Sequence, residues 1–132
     1  MIAVDTNVLL RFFEADDNVA QTAAARDVVR SQGSVFINPV VLVEFVWALR
    51  ASFGLDRKAI HTRLQRILAA PEFVLPFAAS IERAVEQYGK GLADFADCMI
   101  GELNLAFGCD ATMTFDKKAA RTPSFRPLRA GA

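Results

Sequence analysis

The stretch MIAVDTNVLL, residues 1–10, sets a run of apolar β-formers against a carboxylate, Asp5, with Thr6 and Asn7 directly behind it. Residues 2–4 read as a short buried strand and residues 6–13 as the helix that follows. A carboxylate at such a junction has two readings. Asp5 or Thr6 can cap the helix, because a side-chain oxygen there accepts a backbone N–H that the first turn leaves unpaired. Alternatively, the strand ends in Asp5 to deliver a ligand to its carboxyl end, where α/β sheets bind theirs. Three more acidic residues in comparable places bear on the choice.

Working outward, the same alternation continues to the end of the chain. Val19, Ala23, Val28 and Val29 mark an amphipathic helix over 18–31, closed near Gly33. SVFI at 34–37 is a second strand, stopped by Asn38 as a cap and Pro39 in the first helical position. That helix runs to about Ser52 and ends by Gly54; Asp56 caps the next, which extends to about Ala70. EFVLPF at 72–77 is a third strand, with Pro76 at its end or on an edge. Residues 80–88 and 94–107 are helical, and Gly108 stops the latter. ATMTF at 111–115 is a fourth strand, and SFRPL at 124–128 a weaker fifth. Short strands alternating with helices predict an α/β domain whose parallel sheet is covered on both faces.

Length and composition agree with one domain over residues 1–132, since 53% hydrophobic residues and 11 Phe supply a core for one compact body. Lys+Arg and Asp+Glu are equal at 15 each, so net charge carries no sign of a nucleic-acid partner, although a local patch stays open. Cys98 and Cys109 lie in apolar sequence without metal-ligand spacing and read as buried thiols in a reducing cytoplasm. No apolar run approaches the roughly 18 residues of a membrane span, and no leader pattern opens the chain. The expectation is a soluble cytoplasmic protein.

The acids then fall into place. Asp5 follows the first strand and Asp116 follows the fourth, in TMTFD. Glu44 stands in the second turn of the helix after strand two, in PVVLVEFVWALR, with apolar neighbours from Val40 to Leu49. A helix apolar all round is expected to be buried, and a buried carboxylate needs a charged partner or a metal. Arg50, the one nearby base, is six residues on and off the same face. In LADFADCMIGELNLAFG, Asp94 and Asp97 share a helix face; they read either as N-cap and third-position acid or as ligands. Carboxylates gathered at one end of a sheet repel one another unless a hard cation such as Mg²⁺ joins them. Such a cation takes one or two carboxylates, keeps several waters, and offsets charge on a reacting phosphate.

VDTNVLL at the start, a lone Glu44 in an apolar helix, FADCMI at 95–100 and TFD at 114–116 together resemble the PIN-domain ribonucleases. The short single-domain length resembles the VapC toxins of type II toxin–antitoxin pairs within that superfamily. The resemblance implies a three-layer α/β/α sandwich on a mainly parallel four- to five-stranded sheet, and a Mg²⁺-dependent (or Mn²⁺-dependent) endoribonuclease. It implies Asp5, Glu44, Asp97 and Asp116 as the catalytic acids. Asp5 and Asp97 would hold the metal, Asp116 would bind it directly or through water, and Glu44 would orient or deprotonate the attacking water. Asn7 and Thr114 would hydrogen-bond the carboxylates, with Asp94 as an extra acid beside the expected one. Cys98 stands where a smaller residue is commoner. The partners implied are RNA, a small antitoxin protein that wraps the toxin, and a second copy in a homodimer.

Arg11, Lys117, Lys118 and Arg121 lie near the same strand ends and read as phosphate contacts or as solvated surface charge. His61 reads as a surface or partly buried helix residue. Leu9, Leu10, Phe12 and Phe13 exceed one core-facing stripe, which points to a partner groove or to a core plug with a dimer seam. Competing classes fit worse. An aspartyl phosphatase needs a second Asp where Asn7 stands, and a receiver-type domain needs an acceptor Asp where Pro76 and Phe77 stand. A PIN fold that only binds RNA or protein would have no need to crowd carboxylates.

Overall fold

The computed structural model describes residues 1–131, which form two compact units divided after Pro76. In the first unit the order is β1 (Ile2–Ala3), α1 (Thr6–Phe13), α2 (Val19–Gln32), β2 (Val35–Phe36), α3 (Pro39–Ala51), α4 (Arg57–Ala69) and β3 (Phe73–Val74). The three strands pair in parallel in the order β1-β2-β3, with Ile2 beside Val35 and Val35 beside Phe73.

Side-chain caps fix the helix starts. The carboxylate of Asp5 accepts the Val8 N–H at 3.0 Å, Asn18 accepts that of Gln21 at 3.0 Å, Asn38 that of Val40 at 2.8 Å, and Asp56 that of Ala59 at 2.8 Å. Each satisfies a donor that the first helical turn cannot. Gly33 closes α2 with φ of 72°, the left-handed conformation that a Cβ disfavours. The core of this unit is filled from α1 by Leu9 and Leu10, from α3 by Phe45 and Leu49, and from α4 by Leu64 and Ile67. Phe12 and Phe13 join it as half-buried rings: Phe12 meets Phe73 edge-on at 5.4 Å and Phe13 meets Phe45 at 5.6 Å. The apolar excess of α1 is thus used inside its own unit, as the core-plug reading expects.

The second unit contains α5 (Ala78–Gly89), α6 (Phe95–Ala106), β4 (Thr112–Thr114), a 3-10 turn (Ala119–Arg121) and β5 (Phe125–Pro127). β4 and β5 are parallel, with Thr112 beside Phe125. α5 presents Ile81, Ala84, Val85 and Tyr88, a stripe at helical spacing, and α6 answers with Phe95, Cys98 and Met99. Tyr88 and Phe95 meet edge-on at 5.6 Å. One acid is deeply buried here. Glu102 on α6 is 2% exposed, takes Arg83 Nε at 2.7 Å and Gln87 Nε2 at 3.2 Å, and so is paired as a buried charge must be.

Every strand pair is parallel, as expected, but the strands are only two or three residues long and form sheets of three and of two. Caps and proline shorten them: Asp5 already belongs to a helix start, and β3 stops before Leu75 and Pro76. α5 begins two residues earlier than the sequence suggests, after Phe77 in a left-handed conformation with φ of 50°. Two burial expectations are corrected. Cys109, after the end of α6, is exposed, whereas Cys98 on its packed face is buried. Glu44 is exposed, because α3 buries only the stripe Leu42, Phe45, Val46 and Leu49 and turns its other apolar residues outward. Among the described residues no helix is long and apolar enough to cross a membrane.

α6 comes closest to the chain before β5 at Gly101. A Cβ built there would stand 2.0 Å from Ser124 Oγ and 2.7 Å from a Phe125 ring carbon. Gly101→Ala therefore overpacks the second unit, although alanine is the better helix former. It is expected to lose about 1–3 kcal/mol in urea unfolding, whereas an unchanged midpoint would show that this approach is loose.

Candidate functional site

In the first unit the site residues gather around the start of α1. Asp5 is exposed, and its cap to Val8 uses one carboxylate oxygen, Oδ1, so Oδ2 is not needed by the helix. One residue further on, the Thr6 hydroxyl donates to Glu44 Oε1 at 2.9 Å. This ties α1 to α3 and sets the orientation of the Glu44 carboxylate. Asp5, Thr6, Asn7 and Glu44 line a cleft of about 530 Å³, with Trp47 on its apolar side. A second cleft, of about 460 Å³, opens between α1 and α2 and is also lined by Asp5 and Asn7. Asn7 therefore stands between the two hollows. Arg11 is already engaged, by an ion pair with Asp16 and by donating Nε–H to Gln21 Oε1 at 3.2 Å.

In the second unit the start of α6 and the end of β4 carry three acids. Asp116 follows β4 and is held by its own turn: its Oδ1 accepts the backbone N–H of Lys118 at 2.8 Å and of Ala119 at 3.4 Å. Thr114 Oγ1 accepts the Asp116 N–H at 3.0 Å, so Thr114 braces the backbone of Asp116 rather than a carboxylate. Asp94 occupies the N-cap position of α6, as read from sequence, but its side chain does not cap the helix. Its Oδ1 receives the Lys118 ammonium at 3.4 Å instead. An ammonium offers a full charge where a backbone N–H offers a dipole, so the carboxylate turns to it.

Asp97, in the first turn of α6, is partly buried. Loss of solvent pushes its carboxyl above the usual range, and the neighbouring charges of Asp116 and Asp94 push it the same way, against a smaller opposing pull from Lys118. Asp116 and Asp94 thus both lie within electrostatic reach of Asp97. Among the described residues, no three His, Cys, Asp or Glu side chains form a group placed to hold a metal ion. The sequence-predicted residues therefore stand as two sets, Asp5, Asn7 and Glu44 in the first unit and Asp94, Asp97, Thr114 and Asp116 in the second.

Of the predicted phosphate contacts, Lys117 is exposed, Lys118 pairs with Asp94, and Arg121 donates to the Leu92 carbonyl at 3.2 Å. His61 is half-buried on α4, as expected. Thr6 and Trp47 are the residues that reading the sequence missed. Thr6 was legible only as a possible cap, and its hydroxyl finds Glu44 through the packing of α1 on α3. Trp47 was legible three residues after Glu44, on the same helix face.

The PIN domain family model matches residues 2–124. Over 120 residues the chain is 22% identical to a VapC ribonuclease from Aquifex aeolicus, covering 89% of each chain. Among the described residues, six α-helices and five parallel-paired strands fit the three-layer α/β/α fold class expected of that family.

The crowding of Asp97 has a consequence for stability. Its carboxyl is raised in the folded chain, so folding is penalised once the group ionises, and stability falls as pH rises from the ordinary Asp range through the raised value. Asp97→Asn removes that penalty. In EDTA at neutral pH the variant is expected to melt slightly higher than the parent, and the gap should close in acid below the ordinary Asp range. A gap that persists unchanged in acid would trace the effect to packing instead.

Proposed function

The chain belongs to the PIN domain family, and from that membership we propose that it is a divalent-metal-dependent endoribonuclease that hydrolyses RNA phosphodiester bonds. The observation that carries this reading is the set of acids around Asp97, whose carboxyl is raised first by loss of solvent and then by the charges of Asp116 and Asp94, against the opposing pull of Lys118. A fold that keeps such repulsion at the start of a helix has a use for a cation there. The donors are all hard oxygens, which suits Mg²⁺ or Mn²⁺ over softer metals. Because Mg²⁺ keeps several waters and takes only one or two carboxylates, Asp97 and Asp116 suffice as its ligands in the second unit. The motif position of Asp5 extends the ligand role to that residue.

When bound, the cation supplies Lewis-acid offset of the charge that builds on the phosphate. The remaining work belongs to the side chains. Glu44, oriented by the Thr6 hydroxyl, accepts the proton of the attacking water at its carboxylate. Thr114 holds the turn that presents Asp116, and Asn7 offers an amide beside Asp5. The relative named a VapC ribonuclease supports a finer reading. In it the chain is the toxin of a toxin–antitoxin pair, works in the cytoplasm as a homodimer, and is silenced by a small antitoxin protein.

Two variants test this. Asp97→Asn is expected to lose nearly all cleavage of a single RNA at saturating Mg²⁺, with the fold retained. Asp94→Asn is expected to keep most of it, since Asp94 pairs with Lys118 and its side chain does not cap α6. Excess EDTA should abolish cleavage by the parent. Full activity in EDTA would remove the metal from the mechanism, and an active Asp97 variant beside a dead Asp94 variant would reverse their roles.

A further inference from the structure

Trp47 is the single tryptophan of the chain, and its side chain is 61% exposed. It lines the same cleft as Asp5, Thr6 and Glu44, and it follows Glu44 by three residues, so the two share one face of α3. Leu10, Ala48 and Ala51 add apolar groups to the lining, and Asn7 adds an amide on its polar side. Among the described residues no aromatic ring packs against the indole. The cleft, about 530 Å³, falls within the range of roughly 300–1,000 Å³ typical of small-ligand sites.

We propose that this cleft is a nucleobase pocket in which Trp47 stacks an unpaired base of single-stranded RNA, beside the phosphodiester to be cut; the proposal rests on the ribonuclease reading above. The indole selects a base over a phosphate as the occupant. Around Trp47 the cleft is lined by the apolar side chains of Leu10, Ala48 and Ala51, which offer a phosphate no donor and suit the flat face of a base. Asp5 and Glu44, on the polar side, are left to the cation and the attacking water of the proposed reaction. The indole supplies the stacking surface, which tolerates sequence because every base has a π-face. A second copy of the chain is a poorer occupant. Laid along this face it would bury the Glu44 carboxylate together with Trp47, and among the described residues that line the cleft no Lys or Arg offsets the desolvation of that charge.

Because Trp47 is the sole tryptophan, its fluorescence reports on this cleft alone. The experiment titrates the full chain with hexaadenylate RNA, with Ca²⁺ in place of Mg²⁺, and follows indole emission alongside the polarisation of a 5′-labelled strand. Quenching that saturates with the polarisation change is expected, and an abasic strand should bind without quenching. In Mg²⁺, Trp47→Ala should raise KM roughly five- to a hundredfold, the worth of one stacked base, with kcat little changed; Trp47→Phe should recover most of the loss. Unchanged melting temperatures would separate this from a folding defect, as the exposure of Trp47 predicts. Strand binding without quenching would overturn the base pocket while leaving the ribonuclease reading intact. Emission that answers to protein concentration but not to RNA would assign the face to a second copy and overturn it too. Absence of any strand binding would bring down the ribonuclease reading and the pocket with it.

Discussion

The hydrogen bond from the Val8 N–H to the Asp5 carboxylate is the contact on which the first unit depends. It starts α1 at Thr6, which sends Leu9 and Leu10 into the core and brings the Thr6 hydroxyl to Glu44. A start one residue later would rotate the helix by about 100° and take both away. The two readings of Asp5, cap and ligand, are therefore compatible, because a carboxylate has two oxygens and the cap needs one. Asp116 follows the same logic, with Oδ1 holding its own turn. In both places the fold fixes the carboxylate with backbone donors, so its direction is set before any ligand arrives.

Two acids on α6 show how differently one helix can treat a charge. Glu102 is buried and fully answered by Arg83 and Gln87, an arrangement that links α5 to α6 and has no chemistry to offer. Asp97 is less buried, yet desolvation and the like charges of Asp116 and Asp94 oppose its ionisation, with Lys118 pulling the other way. Burial alone thus does not mark a functional carboxylate. Want of compensation is what separates Asp97 from Glu102 on the same helix.

Much of this was legible in the sequence. Asn38 before Pro39, Asp56 before a polar-apolar periodic run, and Gly33 after one each predicted a helix end correctly, since capping chemistry is local. The acids and their order were legible for the same reason. What failed was burial. PVVLVEFVWALR looked like a helix wrapped on all sides, but one stripe of it packs and the opposite stripe, with Val40 and Trp47, faces outward. Apolar residues on both faces leave no moment to say which face packs, so the exposure of Glu44 depended on tertiary contacts. The side chain of Asp94 escaped for a related reason. The cap position was correct, but a lysine twenty-four residues away competed for the carboxylate.

The parallel pairing of very short strands explains why the first-unit acids meet at all. Ile2 and Ala3 lie beside Val35 and Phe36 in the same direction, so the chain leaves β1 and β2 at one edge of the sheet. Each strand then runs within two residues into a capping side chain, Asp5 for α1 and Asn38 for α3. Both helices therefore present their N-termini at that edge, where unpaired N–H groups and the helix dipoles favour negative charge. Thr6 is the first residue of α1 and Glu44 lies in the second turn of α3, which places both within reach of that edge. β3 leaves the sheet in parallel too, but its exit is Leu75 and Pro76, which supply neither a cap nor a charge. The polar character of this edge is thus confined to the two strands whose following helices begin there, and a side chain that ends such a strand is oriented by backbone rather than by other side chains.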